Sequence, residues 1–414
     1  MNRSWALYAA AIALTTAVSC GRQQQQTTEL PPAAPSAPAA STPAPAGQYE
    51  VTTVTDGGGI SGTITLSGAL PKLAPHKTDK DPQVCGTTPR ESEKLVVSKG
   101  GAVKNAVVMV MDVKRGKAMP AAAQNAEIDQ KKCEYTPHVQ VMAVNSEISL
   151  KNSDPILHNI QFFRGDDSLF NIAQPVQGQV NKHVLDKTGP IYVECAVHGW
   201  MQGQVIVVDN PYYAVTDENG KFSIADLPPG KYQVKIWHEY LGEQTKEITV
   251  AAKMDTALNM DLKDMLAAKA SPAAAPGAPA SAGGTAAAGG TAAAADANGK
   301  PAGNEIVVQM KEVQGSAGTT YRFEPAQLTI KVGTTVRWIN ASGEDGPKHT
   351  STDDPDWETP QTPAILPTGA QKWRTKFLSN GNFETHTFTV PGKYQYFCET
   401  HGPYGMTATI TVEP

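Results

Sequence analysis

The stretch Tyr396-Phe397-Cys398-Glu399-Thr400-His401-Gly402-Pro403-Tyr404-Gly405-Met406 leaves this chain few choices of fold. An aromatic, strand-like run ends on a thiolate, an imidazole follows at the spacing C-x2-H, and a thioether completes C-x2-H-x4-M before a closing strand at Ile410–Val412. With His349 in a loop upstream, two imidazoles, one thiolate and a weak thioether form the donor set that holds copper for outer-sphere electron transfer. The soft Cys and Met favour Cu(I), and the imidazoles suit both oxidation states, so one site cycles with little rearrangement. A shorter version, Cys195-Ala196-Val197-His198-Gly199-Trp200-Met201, lies earlier with His158 upstream.

Length and charge narrow the setting. The 414 residues suffice for two or three domains once tails are set aside. A net charge of -5 gives no basic footprint, which excludes nucleic acid as a partner. The N-terminus reads as a secretory signal over 1–20: Arg3, an apolar run from Trp5 to Val18, then small residues before Cys20. Ala17-Val18-Ser19-Cys20 resembles a bacterial lipobox, which makes Cys20 the candidate for lipidation and membrane anchoring, with simple cleavage of an exported protein as the alternative. Either route places the chain in the cell envelope, on the periplasmic or extracellular side, where disulfides persist. Of the five cysteines, Cys20 is the anchor candidate and Cys195 and Cys398 sit in the metal loops. Cys85 and Cys133 remain as the expected disulfide, although four cysteines permit three pairings and free buried thiols are the alternative.

Two segments cannot bury enough apolar surface to fold: a Gln/Pro/Ala-rich tether at 21–48 and an Ala/Gly/Pro linker at 264–303. The linker lets the domains it joins meet, and nothing in the sequence fixes them together. Elsewhere the pattern is β. Ile60–Leu66 alternates apolar with small polar residues, and Ala106–Val113, Val139–Val144, Ile191–Cys195, Gln204–Val208 and Lys231–Trp237 read as further strands. Asp217-Glu218-Asn219-Gly220 carries an Asn-Gly hairpin signal between Tyr212–Val215 and Phe222–Ile224. Only Asn181–Lys187 and Met260–Ala268 hint at helix. Short strands with Gly/Pro turns argue for an all-β chain of Greek-key sandwiches.

In this order, the residues of 304–414 resemble the cupredoxin family, plastocyanin in particular. The resemblance implies equatorial ligands His349, Cys398 and His401, a long axial Met406, and Thr350 donating its backbone N–H to the Cys sulfur. The first loop is similar to that of amicyanin-type cupredoxins and implies His158, Cys195, His198 and Met201 as ligands, with Asn159 in the place of Thr350. Residues 57–262 also resemble bacterial secreted proteins that pair a cupredoxin-like domain with a carboxypeptidase-regulatory-like β-sandwich, on Cys133-Glu134-Tyr135-Thr136-Pro137-His138, the turn Thr216–Gly220 and Trp237-His238-Glu239. The division this implies is a cupredoxin-like domain at 49–210, a regulatory-like module at 211–263 that shares the strand at 60–66, and a plastocyanin-like domain at 304–414. His138, His238 and His386 read as structural.

These expectations add up to an electron carrier with one copper per cupredoxin domain and no catalytic residue. No His adjoins either Cys and no His-x-His pair occurs, so the extra copper ligands of oxidases and nitrite reductases are missing. Acidic residues of the His349 loop, Glu344, Asp345, Asp353, Asp354, Asp356 and Glu358, suggest a docking patch for a positively charged redox protein such as a c-type cytochrome. The competing classes are an extracytoplasmic binding module with a degenerate first site, and a copper storage or delivery protein.

Overall fold

Period-two burial decides which sheet each strand joins. In Asn125–Gln130 and Glu147–Asn152, every second residue is buried. The two strands pair in parallel with Ala126 opposite Ile148 and Ile128 opposite Leu150, so one apolar face results. The computed structural model describes residues 49–270, 304–315, 318–343, 346–354, 359 and 361–414. The secretory segment, Cys20, the 21–48 tether and 271–303 of the linker lie outside the described residues.

Three sandwiches follow. In the first, one sheet runs Asp167–Gln174, His158–Arg164, Gly189–Glu194, Gln202–Val208, Val139–Ala143. It packs on a sheet ordered Val180–Val184, Glu147–Asn152, Asn125–Gln130, Tyr135–Thr136. Ile128, Leu150, Phe162, Val193 and Val205 fill the space between them. The second sandwich sets Tyr213–Val215, Val107–Val110, Gly230–His238 and Gly242–Val250 against Lys221–Leu227, Gly58–Thr65 and Asp255–Ala257. Its core holds Ile60, Ile64, Val108, Val110, Phe222 and Ile236. The third sets Gly318–Glu324, Glu305–Gly315, Thr335–Asn340 and Phe383–Thr387 against Gln327–Lys331, Thr407–Glu413 and Gly392–Phe397, around Phe323, Trp338, Phe388 and Tyr396.

This topology corrects the division at 210/211. Gly58–Thr65 and Val107–Val110 pair with Lys221–Leu227 and Gly230–His238, so the regulatory-like sandwich is assembled from both ends of the region and the metal-loop sandwich is inserted between them. Hydrophobic patterning reports that a strand has a buried face; it does not say which sheet receives it. Val107 shows the consequence. Its neighbours Val108 and Val110 face their own core, while Val107 and Trp237 pack with Val139, Val141, Ile206 and Val208 of the inserted sandwich.

Other local expectations change for local reasons. Tyr213–Val215 and Lys221–Leu227 do not form a hairpin, because each pairs in a different sheet. The Asp217 carboxylate accepts the Asn219 and Lys221 N–H groups at 2.9 and 2.8 Å, and Gly220 takes φ 69°, so the turn is tight but crosses between sheets. Val180–Val184 is a strand rather than a helix, paired to Glu147–Lys151, and a short helix forms at Lys263–Ala270. Cys85 and Cys133 are joined as a disulfide.

The third sandwich is also held against the first. Phe163 meets Phe377 edge-on at 4.9 Å, and the Lys348 ammonium donates to Gly165 O at 2.8 Å and to Asp166 at 3.1 Å. Contacts of this kind join side chains far apart in sequence, which is why linker composition did not reveal them.

Candidate metal centres

Each metal loop closes two paired strands of one sandwich. In the third sandwich, Gly392–Phe397 pairs with Thr407–Glu413 up to Phe397 opposite Thr407, leaving Cys398–Met406 as the connection. The loop is braced internally: Cys398 N–H donates to Met406 O at 3.1 Å, Gly402 N–H to Cys398 O at 2.7 Å and Met406 N–H to His401 O at 3.1 Å. A short 3-10 turn at Gly402–Tyr404 ends on Gly405 at φ 97°, a conformation suited to glycine. The upstream imidazole is delivered by a different device. Asn340 ends the strand Thr335–Asn340, and its buried amide donates to Pro347 O at 2.9 Å and Leu378 O at 2.7 Å while its oxygen accepts Ser342 N–H at 2.9 Å. That knot fixes the loop on which His349 sits. Asn152 does the same in the first sandwich, donating to Ile156 O and Gln174 O and accepting Asp154 N–H.

His349, Cys398 and His401 come together with their donor atoms within 4.8 Å of one another, all buried, and so do His158, Cys195 and His198. Cys398 Sγ lies 3.8 Å from His349 Nδ1 and 3.6 Å from His401 Nδ1. In the first sandwich, Cys195 Sγ is 3.8 Å from His198 Nδ1, and the two imidazole Nδ1 atoms are 3.1 Å apart. A first-row ion with bonds of about 2.0 Å to nitrogen and 2.3 Å to sulfur, trigonally placed, separates its donors by roughly 3.5 Å. The observed spacings fit such an ion. Met406 and Met201 are buried in the same cores as the two cysteines. Each sulfur accepts a backbone N–H at 3.4 Å, from Thr350 to Cys398 and from Asn159 to Cys195. The Thr350 hydroxyl accepts Glu399 N–H at 2.9 Å, and the Asn159 side chain accepts Ala196 N–H at 3.2 Å, locking each upstream segment to the metal loop.

Electrostatics favour a neutral, ready donor set. Burial drives His349 down to about 3 and His401 well below the usual imidazole range, with His349 and Lys80 adding to the effect on His401. Burial likewise lowers His198 to about 4 and lowers His158 against the pull of Asp154. Both thiols are pushed up by burial, Cys398 to about 11, so an arriving metal must displace a thiol proton but no imidazolium proton.

Three residues at these centres have no signal in the loop motifs. Asp154 accepts from His158 Nε2 at 2.9 Å and also holds the N–H groups of Lys132 and Cys133; its place four residues before His158 is the one local clue. Asp81 contacts His198 Nε2 at 2.9 Å from 117 positions away, beyond any motif. Ser342 Oγ sits 2.8 Å from His349 Nε2. Cys133, Asp154 and His158 also cluster, but the Cys133 sulfur is committed to Cys85.

The remaining histidines pack or pair. His386 stacks on Trp373 at 5.3 Å, His138 pairs with Glu239, and His238 Nδ1 accepts the Tyr240 N–H. Asp353 corrects the docking patch: it is fully buried, accepts Trp373 N–H at 2.9 Å, and burial raises its carboxyl to about 7. Asp354 pairs with Lys372 at 2.7 Å, and Glu344, Asp345, Asp356 and Glu358 lie outside the described residues.

A β-sandwich that closes two strands with a Cys-His-Met loop and brings a second His beside the sulfur defines a cupredoxin, a mononuclear copper protein. A family model for copper binding proteins of the plastocyanin/azurin family matches residues 309–413, and one for the carboxypeptidase regulatory-like domain matches 201–263. The plastocyanin of Nostoc punctiforme is 37% identical over 94 residues, 22% of this chain and 64% of that protein. That of Scenedesmus fuscus is 35% identical over 91 residues, again 22% of this chain but 86% of its own length. Native pseudoazurin from Hyphomicrobium denitrificans is similar at 20% identity over 26% of this chain and 74% of that one, with a TM-score of 0.20. This chain belongs to the plastocyanin/azurin family of copper-binding proteins through its C-terminal domain.

Proposed function

We propose that the chain is an exported, lipid-anchored electron carrier with two mononuclear copper centres, working with redox proteins of the bacterial envelope. The single observation that carries this is the repetition of one closed donor cage: a buried Cys between two buried His residues, with a buried Met in the same loop, in two separate sandwiches. Copper bound there supplies one-electron chemistry by alternating between Cu(I) and Cu(II). The protein's part is to keep the cage still. The Asn340 and Asn152 knots hold the upstream imidazoles, the loop hydrogen bonds hold the sulfurs, and the N–H groups of Thr350 and Asn159 orient the thiolates. With both imidazoles and the thiol of each site already together, little rearrangement accompanies a change of charge. The same closure leaves no position for a substrate, which speaks against catalysis at either centre. The Cys85–Cys133 disulfide is in keeping with an oxidising compartment, and Cys20 supplies the proposed anchor.

The test is a copper titration of the chain starting at Gly21, with metal count and visible absorption, beside Cys195→Ser and Cys398→Ser. Two coppers, with the Cu(II)–thiolate absorption diminished in each variant, are expected. One copper, lost only in Cys398→Ser, would leave the first sandwich as a structural or binding module.

A further inference from the structure

Neither loop imidazole reaches solvent: His198 is 0% exposed and His401 1%. Each is covered where the first and third sandwiches meet. The Tyr321 ring lies against His401 with centroids 4.0 Å apart, and its hydroxyl sits so close over Gly199, the residue after His198, that a methyl group there would come within 2.9 Å of it. Tyr321 therefore spans the gap between the two metal loops. On the same side, the Lys80 ammonium lies 5.9 Å from the Tyr321 centroid and 5.1 Å from that of Tyr404, while its neighbour Asp81 holds His198 Nε2.

The cross-domain contacts fall on the residues next to the ligands. Lys348 precedes His349, and its N–H donates to the carboxylate of Glu194, which precedes Cys195, at 3.4 Å. Thr400 precedes His401, and its hydroxyl donates to the Gln161 side chain at 3.3 Å. Gln161 stands opposite Glu194 in the sheet that carries Cys195. Phe163 on Phe377 and Lys348 on Asp166 fix the outer edge of the same contact. The His401 ring is covered by Tyr321, and the Lys80 ammonium stands over both the Tyr321 and Tyr404 rings. On its other side, Tyr321 meets Gly199 of the first sandwich.

We propose that this contact is an electron-exchange interface within one chain, with the Tyr321 side chain bridging the two metal loops, its ring on His401 and its hydroxyl over Gly199. The inference rests on both centres taking copper. In the step, the reduced centre gives up one electron and is oxidised while the other accepts it and is reduced; no bond or proton moves. A small-molecule one-electron reductant, such as a photogenerated flavin semiquinone, supplies the first electron.

The experiment uses the full chain carrying two coppers, with the two thiolate absorptions assigned through Cys195→Ser and Cys398→Ser. After a flash delivers less than one electron per chain, the bands should redistribute at a rate that dilution does not change. Tyr321→Ala should slow redistribution by about tenfold or more while both bands persist, whereas Tyr321→Phe, which keeps the ring on His401 but removes the hydroxyl over Gly199, should give a rate between those of the native and Tyr321→Ala chains. If Tyr321→Ala loses a band, Phe377→Ala, at the outer edge of the contact, becomes the deciding variant and must also slow the exchange. A rate proportional to protein concentration, or one untouched by Tyr321→Ala or by Phe377→Ala in its place, overturns the interface proposal alone. A chain that binds fewer than two coppers overturns the two-centre reading and this proposal with it.

Discussion

At the scale of single residues, the two centres differ in what stands behind their imidazoles. His158 and His198 each hold a carboxylate, Asp154 and Asp81, whereas His349 holds the neutral hydroxyl of Ser342. A negative charge behind a ligand raises its basicity and favours the more positive metal state, so the first centre should have the lower reduction potential. Asp154 is the stronger of the two because its side chain is 7% exposed, against 35% for Asp81, where water screens the charge. Asp154→Asn should raise the potential of the first centre by on the order of 50 mV, the equivalent of about 1 kcal/mol from a unit charge several ångströms away in a medium of intermediate dielectric. Asp81→Asn should raise it less, and neither should move the C-terminal centre. Spectroelectrochemical titration of each thiolate band checks this. Equal potentials in the native and Asp154→Asn chains would remove the carboxylate from the account.

At the scale of the element, the ligand cage depends on a strand end. Asn340 satisfies the buried carbonyls of Pro347 and Leu378 and the N–H of half-buried Ser342. Asn340→Ala takes the partner from Pro347 O and from the Ser342 N–H and leaves Leu378 O with the His349 N–H alone, at a cost of about 2 to 4 kcal/mol, and it loosens the His349 loop. The expected result is a lower melting temperature of the copper-free chain together with a broadened Cu(II)–thiolate band; an unchanged band would mean that the metal alone positions His349. The cage also shows what was legible in the sequence. Cys398, His401 and Met406 share one short loop, so spacing alone located them, as it did for Cys195, His198 and Met201. His349 and His158 lie outside those loops at no fixed spacing; they stood out only as upstream imidazoles, and family resemblance gave them their place as ligands. Asp81 was invisible, because its partner His198 is brought to it by tertiary packing alone. The insertion of the first sandwich into the second was hidden for the same reason: the sequence pointed to a shared strand at 60–66 alone, and only pairing with Gly230–His238 places Val107–Val110 in the second sandwich as well.

At the scale of the whole molecule, the sandwiches are joined by buried polar contacts as well as by packing, and one of these carries a pH dependence. His138 of the inserted sandwich pairs with Glu239 of the regulatory-like sandwich, whose other oxygen accepts from Gln204 at 3.1 Å. Their side chains are only 6% and 4% exposed, and burial by itself would lower the His138 pKa and raise that of Glu239. Mutual attraction overrides burial in both, so His138 is raised above 6.5 and Glu239 is lowered below 4.5. The His138 contribution is then fully present below pH 6.5 and lost as pH rises through its raised value. That of Glu239 is present above pH 4.5 and lost as pH falls through its lowered value. Both hold together between those limits. His138→Gln should therefore cost about 3 kcal/mol near pH 5.5 and progressively less as pH rises through the raised imidazole value and the native side chain becomes neutral as well. Denaturant midpoints of the native and His138→Gln chains across this range give the comparison, and a difference that grows with pH would show that the pair is not ionised in the folded chain. Because the pair ties the inserted sandwich to its host, the same loss should loosen hydrogen-exchange protection along Gln202–Val208 and Gly230–His238 before it reaches either copper loop.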